Sequence, residues 1–231
     1  MNGIIGGTSL LNSSIFASWD ERRIETPYGD IYAKVKDNMV FIQRHGNPPA
    51  PPHLINHRAN IWAFKKLDVN KILSVNSVGS LKLKFKPGTF VIPDDFISLW
   101  SISTFFENEM KFIVPEMYEG ERKYLSALCK ELRINAYCGG TYIQTAGPRL
   151  ETKAEIMMLK RFGDIVGMTM ASEAILCMEY KIPHVSLCSV DNYCNGIIKV
   201  PLTMEEIGRN WQNNMNSIET MIKAIIEKDF S

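Results

Sequence analysis

Along this chain, apolar residues fall into short β-branched runs separated by longer stretches of helical period, so the pattern predicts strands alternating with helices. Gly3-Ile4-Ile5-Gly6-Gly7-Thr8-Ser9-Leu10 is a short strand stopped by two glycines and two hydroxyls. After the turn residues Thr26-Pro27-Tyr28-Gly29-Asp30, the alternating runs Ile31 to Lys36 and Met39 to Gln43 flank Asp37-Asn38 and predict a hairpin. Arg44-His45-Gly46 and a proline-rich loop, Asn47 to Pro52, follow. His53 to Lys66 then places Ile55, Ala59, Ile61, Trp62 and Phe64 on one broad face of a helix. On that helix Arg58 and Asn60 are either solvated or reach a neighbouring subunit.

Further on, Lys71 to Leu81 is a buried strand with a polar tip, Asn76-Ser77-Val78-Gly79-Ser80, and Phe90 to Ile97 is a strand and turn. Trp100 to Met117, with Phe105-Phe106 inside it, fits neither period. Glu121 to Leu132 predicts a helix, Cys138 to Ala146 a strand, and Glu151 to Arg161 a helix opened by Gly147-Pro148-Arg149-Leu150. The run Asp164 to Gly167 feeds Met168-Thr169 and a helix beginning near Ser172. His184 to Val190 is a buried strand ending in Asp191-Asn192-Tyr193-Cys194-Asn195-Gly196. Thr203-Met204-Glu205-Glu206 has the form of a capping box before a helix to about Glu227.

With 231 residues, 45% apolar and 22% charged, the chain is expected to bury one α/β core as a single domain, residues 1–231. Twenty-six basic against 25 acidic residues, with no basic run, argue against nucleic acid as a partner. No apolar stretch approaches the roughly 20 residues of a membrane span, and no leader pattern opens the chain, so a cytoplasmic location away from membranes is expected. Five cysteines without C-x-x-C spacing read as reduced thiols and give no support to a metal site.

Candidate chemistry gathers at the strand ends. The stretch 164–174 is the most telling: amides at a helix start and the Thr169 hydroxyl can hold an anion, with Met168 as an apolar surface beside them. A buried strand followed by a core Met and a capping Thr would have the same pattern. Gly6-Gly7 allows close approach of an anion, to which Thr8 and Ser9 can donate, although an ordinary strand-to-loop turn also accounts for it. Neither a P-loop nor G-x-G-x-x-G is present, so no nucleotide cofactor is implied. Arg44 and His45 offer a charged fork and a second donor to one phosphate.

Taken together, Gly6-Gly7-Thr8, Arg44-His45-Gly46, Arg58-Ala59-Asn60-Ile61-Trp62-Ala63, Asn76-Ser77-Val78-Gly79-Ser80, Gly147-Pro148-Arg149, Ala154-Glu155 and Gly167-Met168-Thr169 resemble the methylthioadenosine phosphorylase branch of the trimeric purine nucleoside phosphorylases. The resemblance implies a three-layer α/β sandwich around a mixed, barrel-like central sheet. It also implies phosphorolysis of a purine nucleoside, with inorganic phosphate as co-substrate, no cofactor, and a homo-oligomer, trimer or hexamer, with sites near subunit interfaces. By position, Thr8, Arg44, His45, Asn76, Ser77 and Thr169 would hold phosphate. Gly167, Met168, Leu150, Val78, Asn192 and Asp191 would contact the nucleoside, and Asn192 and His45 would serve catalysis.

At the base-reading position, adenine-specific members carry an acidic residue and 6-oxopurine members an Asn; Asn192 fits the latter, with Asp191 as the competing candidate. Three positions depart from the family pattern: Ser9 replaces a glycine, Asn47-Pro48-Pro49-Ala50 is short and uncharged, and Thr104 to Lys111 is contracted. Three readings stay open at this point: a phosphorylase, a relative that binds nucleoside or purine with little turnover, and a nucleosidase using water.

Overall fold

The computed structural model describes every residue except Asn12, Ser101, Ile102, Asp229 and Ser231. Eleven strands form one mixed sheet. Its spine is β1 (Asn2–Gly6), parallel to both β4 (Met39–Gln43) and β5 (Lys71–Ser80). The predicted hairpin is present as β3 (Ile31–Lys36) antiparallel to β4, and β2 (Asp20–Ile24), which the exposed pattern Asp20-Glu21-Arg22-Arg23 had hidden, extends that edge.

The sheet forks at β5. One edge of this ten-residue strand carries β1 along its first half and β10 (Ile165–Gly167) at its tip. Its other edge carries β11 (His184–Tyr193) in parallel along nearly its whole length. Beyond β10 lie β9 (Thr141–Gln144) and β7 (Asp95–Ile97); beyond β11 lie β6 (Phe90–Ile92) and β8 (Ala136–Cys138). The expected strands at Phe90 to Ile97 and Cys138 to Ala146 are thus each divided between two branches. Gly139 and Gly140, both at positive φ, make the break in the second.

Successive residues of β1 face opposite layers, as strand geometry requires. Ile4 joins a core with helices α2 (Glu119–Glu131) and α5 (Met204–Glu227), through Leu125, Leu128, Ile218 and Ile222. Ile5 joins a second core with α1 (His57–Lys66) and α4 (Met170–Glu179), through Ile61, Phe64 and Leu176. The sheet is therefore sandwiched between two helix layers, as expected.

Helix starts differ from the sequence pattern where a cap intervenes. In α1 the Asn56 side chain accepts from Ala59 N, so the helix begins at His57 instead of His53. Between them, α3 (Lys153–Leu159) opens with Thr152 and Glu155 in a reciprocal capping box, which the sequence reading had missed. Conversely, Thr203 accepts from Glu206 N in α5, one bond of the box predicted there. Among the described residues no helix is long and apolar enough to cross a membrane. The unassigned segment from Trp100 has no helix or strand over residues 103–118, and its Ser101 and Ile102 lie outside the described residues.

Candidate active site

Carboxyl ends of β1, β5, β10 and β11, together with the turn after β4, converge on one cavity of about 200 Å³. Thr8, Arg44, His45, Ser77, Val78, Leu150, Gly167, Met168, Thr169, Asp191 and Asn192 all line it. Asn76, expected to hold phosphate, stays behind the wall, fully buried and donating to Thr169 Oγ1 at 2.9 Å. Leu150, Glu151, Asn195, Leu202 and Met204 also border a larger open depression of about 740 Å³, so the enclosed end leads outward to a broad mouth.

Arg44 is held more tightly than a surface anion fork would be. Its side chain is 1% exposed, and Nε and Nη2 reach Glu173 Oε1 and Oε2 at 2.5 and 3.1 Å. Nη1 donates to Val75 O at 2.8 Å and Nη2 to Ile5 O at 3.4 Å. A guanidinium has five N–H donors, and these contacts leave one, on Nη1, for the cavity. That nitrogen lies so close to Gly7 that a Cβ there would sit 2.3 Å from it. Gly7 is therefore glycine because Arg44 passes against it. Glu173 thus holds most of the fork that the sequence assigned to phosphate.

Glu173 was not singled out from the sequence. The signal was present, since a carboxylate flanked by Met170, Ala174, Cys177 and Met178 on a buried helix must have a buried partner. Asn60, expected in solvent or at an interface, is likewise buried and donates to Arg44 O at 3.0 Å. Arg58 pairs with Glu107 and lies over the Tyr28 ring.

The start of α4 also differs from expectation. Its amides do not face an anion: Thr169 N and Met170 N donate to Tyr142 Oη at 3.1 and 3.3 Å, and Ser172 N donates to Gln144 Oε1 at 3.2 Å. Side chains of β9 cap the helix, and the Thr169 hydroxyl, which makes no cap bond, is left for the cavity. Gly167 makes room for this, because a Cβ on it would lie 2.5 Å from Tyr142 Oη. Ser9, expected with Thr8 to donate to an anion, is buried away from the cavity wall in the turn Thr8–Leu10. Thr8 Oγ1 and Ser77 Oγ lie 3.5 Å apart across that wall.

His45 Nδ1 lies 2.7 Å from Ala50 O. Burial holds its imidazole below the ordinary value, the bond to Ala50 opposes this, and the neighbouring Arg44 charge adds to it. In the neutral ring the proton therefore sits on Nδ1, and Nε2 carries the lone pair.

On the base side, β11 shifts register between Val190 and Asn192, which puts Asp191 in a bulge. Asp191 Oδ1 accepts from Ser189 Oγ at 2.7 Å and Asn214 Nδ2 at 2.9 Å, and Asp191 O accepts from Asn210 Nδ2 at 2.8 Å. Burial raises the Asp191 carboxyl, against the bonds from Ser189, Asn214 and Ser77 that lower it. Two asparagines one turn apart on α5 thus clamp the bulge. Asn192 Nδ2 donates, among the described residues, to its neighbour's carbonyl, Tyr193 O, at 3.0 Å.

The chain matches the model of the phosphorylase superfamily over residues 3–227. It belongs to that superfamily. It is similar to a probable 6-oxopurine nucleoside phosphorylase of Archaeoglobus fulgidus, 36% identical over 99% of this chain and 96% of the relative. A probable S-methyl-5′-thioinosine phosphorylase of Methanocaldococcus jannaschii is 39% identical over 100% of this chain and 93% of its own length. Among solved structures, methylthioadenosine phosphorylase from Schistosoma mansoni in complex with adenine superposes with a TM-score of 0.85 over 95% of this chain and 88% of that one. At 24% identity that likeness establishes the fold. The superfamily assignment agrees with the resemblance read from the motifs.

Proposed function

We propose that this protein is a purine nucleoside phosphorylase, a pentosyltransferase that converts a purine nucleoside and inorganic phosphate to free purine and a pentose 1-phosphate. Its preferred substrates in this proposal are 6-oxopurine nucleosides, 5′-methylthio forms included. The observation that carries it is one cavity lined both by the hydroxyl and guanidinium donors of Thr8, Arg44, Ser77 and Thr169 and by the amide of Asn192. The names carried by the Archaeoglobus and Methanocaldococcus relatives support the same reading.

In the reaction, a phosphate oxygen bonds to the anomeric carbon as the glycosidic C–N bond breaks, and the electron pair leaves with the purine. Donors at the anion end aim a weak nucleophile, so catalysis is mainly positioning and electrostatics. His45 Nε2 accepts a hydrogen bond from the hydroxyl of hydrogen phosphate and so turns its bare oxygens toward the sugar, and the departing purine anion takes a proton from water. Met168, which lines the cavity with Leu150 and Val78, lies against the ribose. Asn192 turns its amide N–H groups toward N7 and the adjacent O6 as charge develops on the base. Asp191 is withdrawn from the base by the clamp on its bulge.

A homo-oligomer, trimer or hexamer, belongs to the same proposal. Phe105 stacks on Tyr180 at 4.1 Å within its own chain. The same segment leaves Met110, Phe112 and Val114 at 95%, 89% and 91% exposure. Light scattering at micromolar concentration tests this, and a monomer would refute it. A cytoplasmic location fits five free cysteines. The activity is tested by purine release from inosine, guanosine, adenosine and methylthioadenosine with and without phosphate. Release that requires phosphate and is fastest for inosine or guanosine is expected; release indifferent to phosphate would make the protein a nucleosidase, and none would leave it a binding protein.

A further inference from the structure

Four polar side chains lie at the centre of this covered sheet, where apolar residues would be the ordinary choice. Ser74 and Asn76 on β5 and His184 and Ser186 on β11 are all within 3% of complete burial. Ser74 and Ser186 are cross-strand partners in the register, which brings the four together.

Their hydrogen bonds can run in only one direction. Glu173, a carboxylate paired with Arg44, accepts and cannot donate, and its Oε2 lies 3.4 Å from Asn76 Nδ2. That orients the amide, with nitrogen toward Glu173 and Thr169 and oxygen toward the hydroxyls of Ser74 at 2.8 Å and Ser186 at 2.7 Å. Ser74 has one hydroxyl proton and gives it to Asn76 Oδ1. His184 Nε2, 3.0 Å from Ser74 Oγ, must then be the donor in that contact. At the far end Asn76 Nδ2 donates to Thr169 Oγ1 at 2.9 Å.

This arrangement decides what the Thr169 hydroxyl does. A threonine at a helix N-cap ordinarily accepts from an amide of the first turn. Here Gln144 already accepts from Ser172 N, and Thr169 Oγ1 accepts from Asn76 instead. Its own proton is left to point into the cavity that Thr169 lines.

We infer that the chain His184, Ser74, Asn76, Thr169 is a polarised relay that presents Thr169 to a bound phosphate as an obligatory donor, with Asn76 as its positioning residue. Each donor in such a chain strengthens the next, and a bare phosphate oxygen gains from a neighbouring hydroxyl whose proton is committed to it. The inference rests on the reading of this cavity as a phosphate site and adds to it a buried device outside the cavity wall.

The test is a double-mutant cycle on the full-length protein, read as inorganic phosphate affinity by calorimetry and as separate KM values for phosphate and inosine. Thr169→Val and Asn76→Ala are each expected to weaken phosphate roughly tenfold to a hundredfold, the range for a hydrogen bond to a charged group. The inosine KM should stay within about threefold for Asn76→Ala, and the double variant should be no weaker than the weaker single one. Multiplying losses in the double variant, or an Asn76→Ala protein that is less stable yet binds phosphate normally, would overturn the relay. Should Asn76→Ala fail to fold, Ser74→Ala takes its place in the cycle. It is expected to weaken phosphate about threefold alone and not at all beside Thr169→Val, and any other pattern refutes the relay. If Thr169→Val itself leaves phosphate binding unchanged, the phosphate site is misplaced, a failure distinct from that of the relay.

Discussion

Arg44, Asn76, Thr169 and Glu173 at the cavity floor are all buried, and each is hydrogen-bonded to another of the four. Residues 103–118, in contrast, have no helix or strand and expose Met110, Phe112 and Val114 almost completely. The floor is finished within one chain, because donors for an anion must be aimed before it arrives, and strand ends fix them at little entropic cost. Residues 103–118 are held at Thr104 Oγ1 and Phe105 N, which donate to Glu179 at 2.7 and 2.6 Å, and at Ile113 and Met117, which pack against the core. The floor is therefore where single substitutions should be most costly, and the effects should shrink toward the exposed segment.

The largest effect is expected at Arg44. Arg44→Ala strands the Glu173 carboxylate without its charge partner, at a cost of about 3–5 kcal/mol, as well as removing phosphate use. Replacing both, as Arg44→Met with Glu173→Leu, should restore most of the thermal stability and none of the phosphate affinity. Recovery of both, measured by thermal unfolding and calorimetry, would mean that the ion pair serves packing alone.

At the base wall the effect should be on choice of substrate. A buried polar group left unpaired costs about 1–3 kcal/mol, so Asn192→Asp should shift the ratio of kcat/KM for adenosine over inosine by roughly tenfold or more. It should also make the rate pH-dependent through the new carboxyl. An unchanged ratio would transfer the base-reading role to Asp191, and Asn214→Leu, which releases the clamp, would be the next variant.

Acid should expose the floor through His184. Burial, with Arg44 adding to it, holds its imidazole down at about 3, against 6.5 for the free side chain. The unfolded chain therefore binds the proton first. Stability present above pH 6.5 drains as the pH falls toward 3, by about 2 kcal/mol at pH 5 for this residue. Denaturant titrations at pH 7 and pH 5 should show that loss in the wild type and a smaller one in His184→Asn. Equal losses would place the acid sensitivity elsewhere.

The smallest effect on the single chain is expected from Phe112→Ser, since an 89% exposed ring buries almost nothing within its own subunit. Monomer stability should change by less than about 0.5 kcal/mol, while light scattering should show a smaller assembly. An unchanged assembly would free this segment from any role at the interface.

Much of this was legible in the chain. The hairpin of β3 and β4 appears within its predicted bounds because alternation and an Asp-Asn turn agree there. The floor residues could be found because each follows a β-branched run and strand ends bring them together. What was not legible depended on contacts between distant segments. Tyr142 and Gln144 cap α4 from a strand more than twenty residues away, and neither carries a local sign of that task. Asn210 and Asn214 resemble the solvated face of an amphipathic helix until β11 is seen against them. The paired Arg44 could have been anticipated, because Glu173 had no other way to be buried.

The central claim is that phosphate, gripped at the floor, becomes bonded to the sugar. Phosphorus NMR of the protein with inosine and inorganic phosphate tests it directly. The account predicts a new sugar-phosphate resonance that grows in step with hypoxanthine as the inorganic phosphate signal declines. Hypoxanthine appearing while the inorganic phosphate signal stays constant would contradict it.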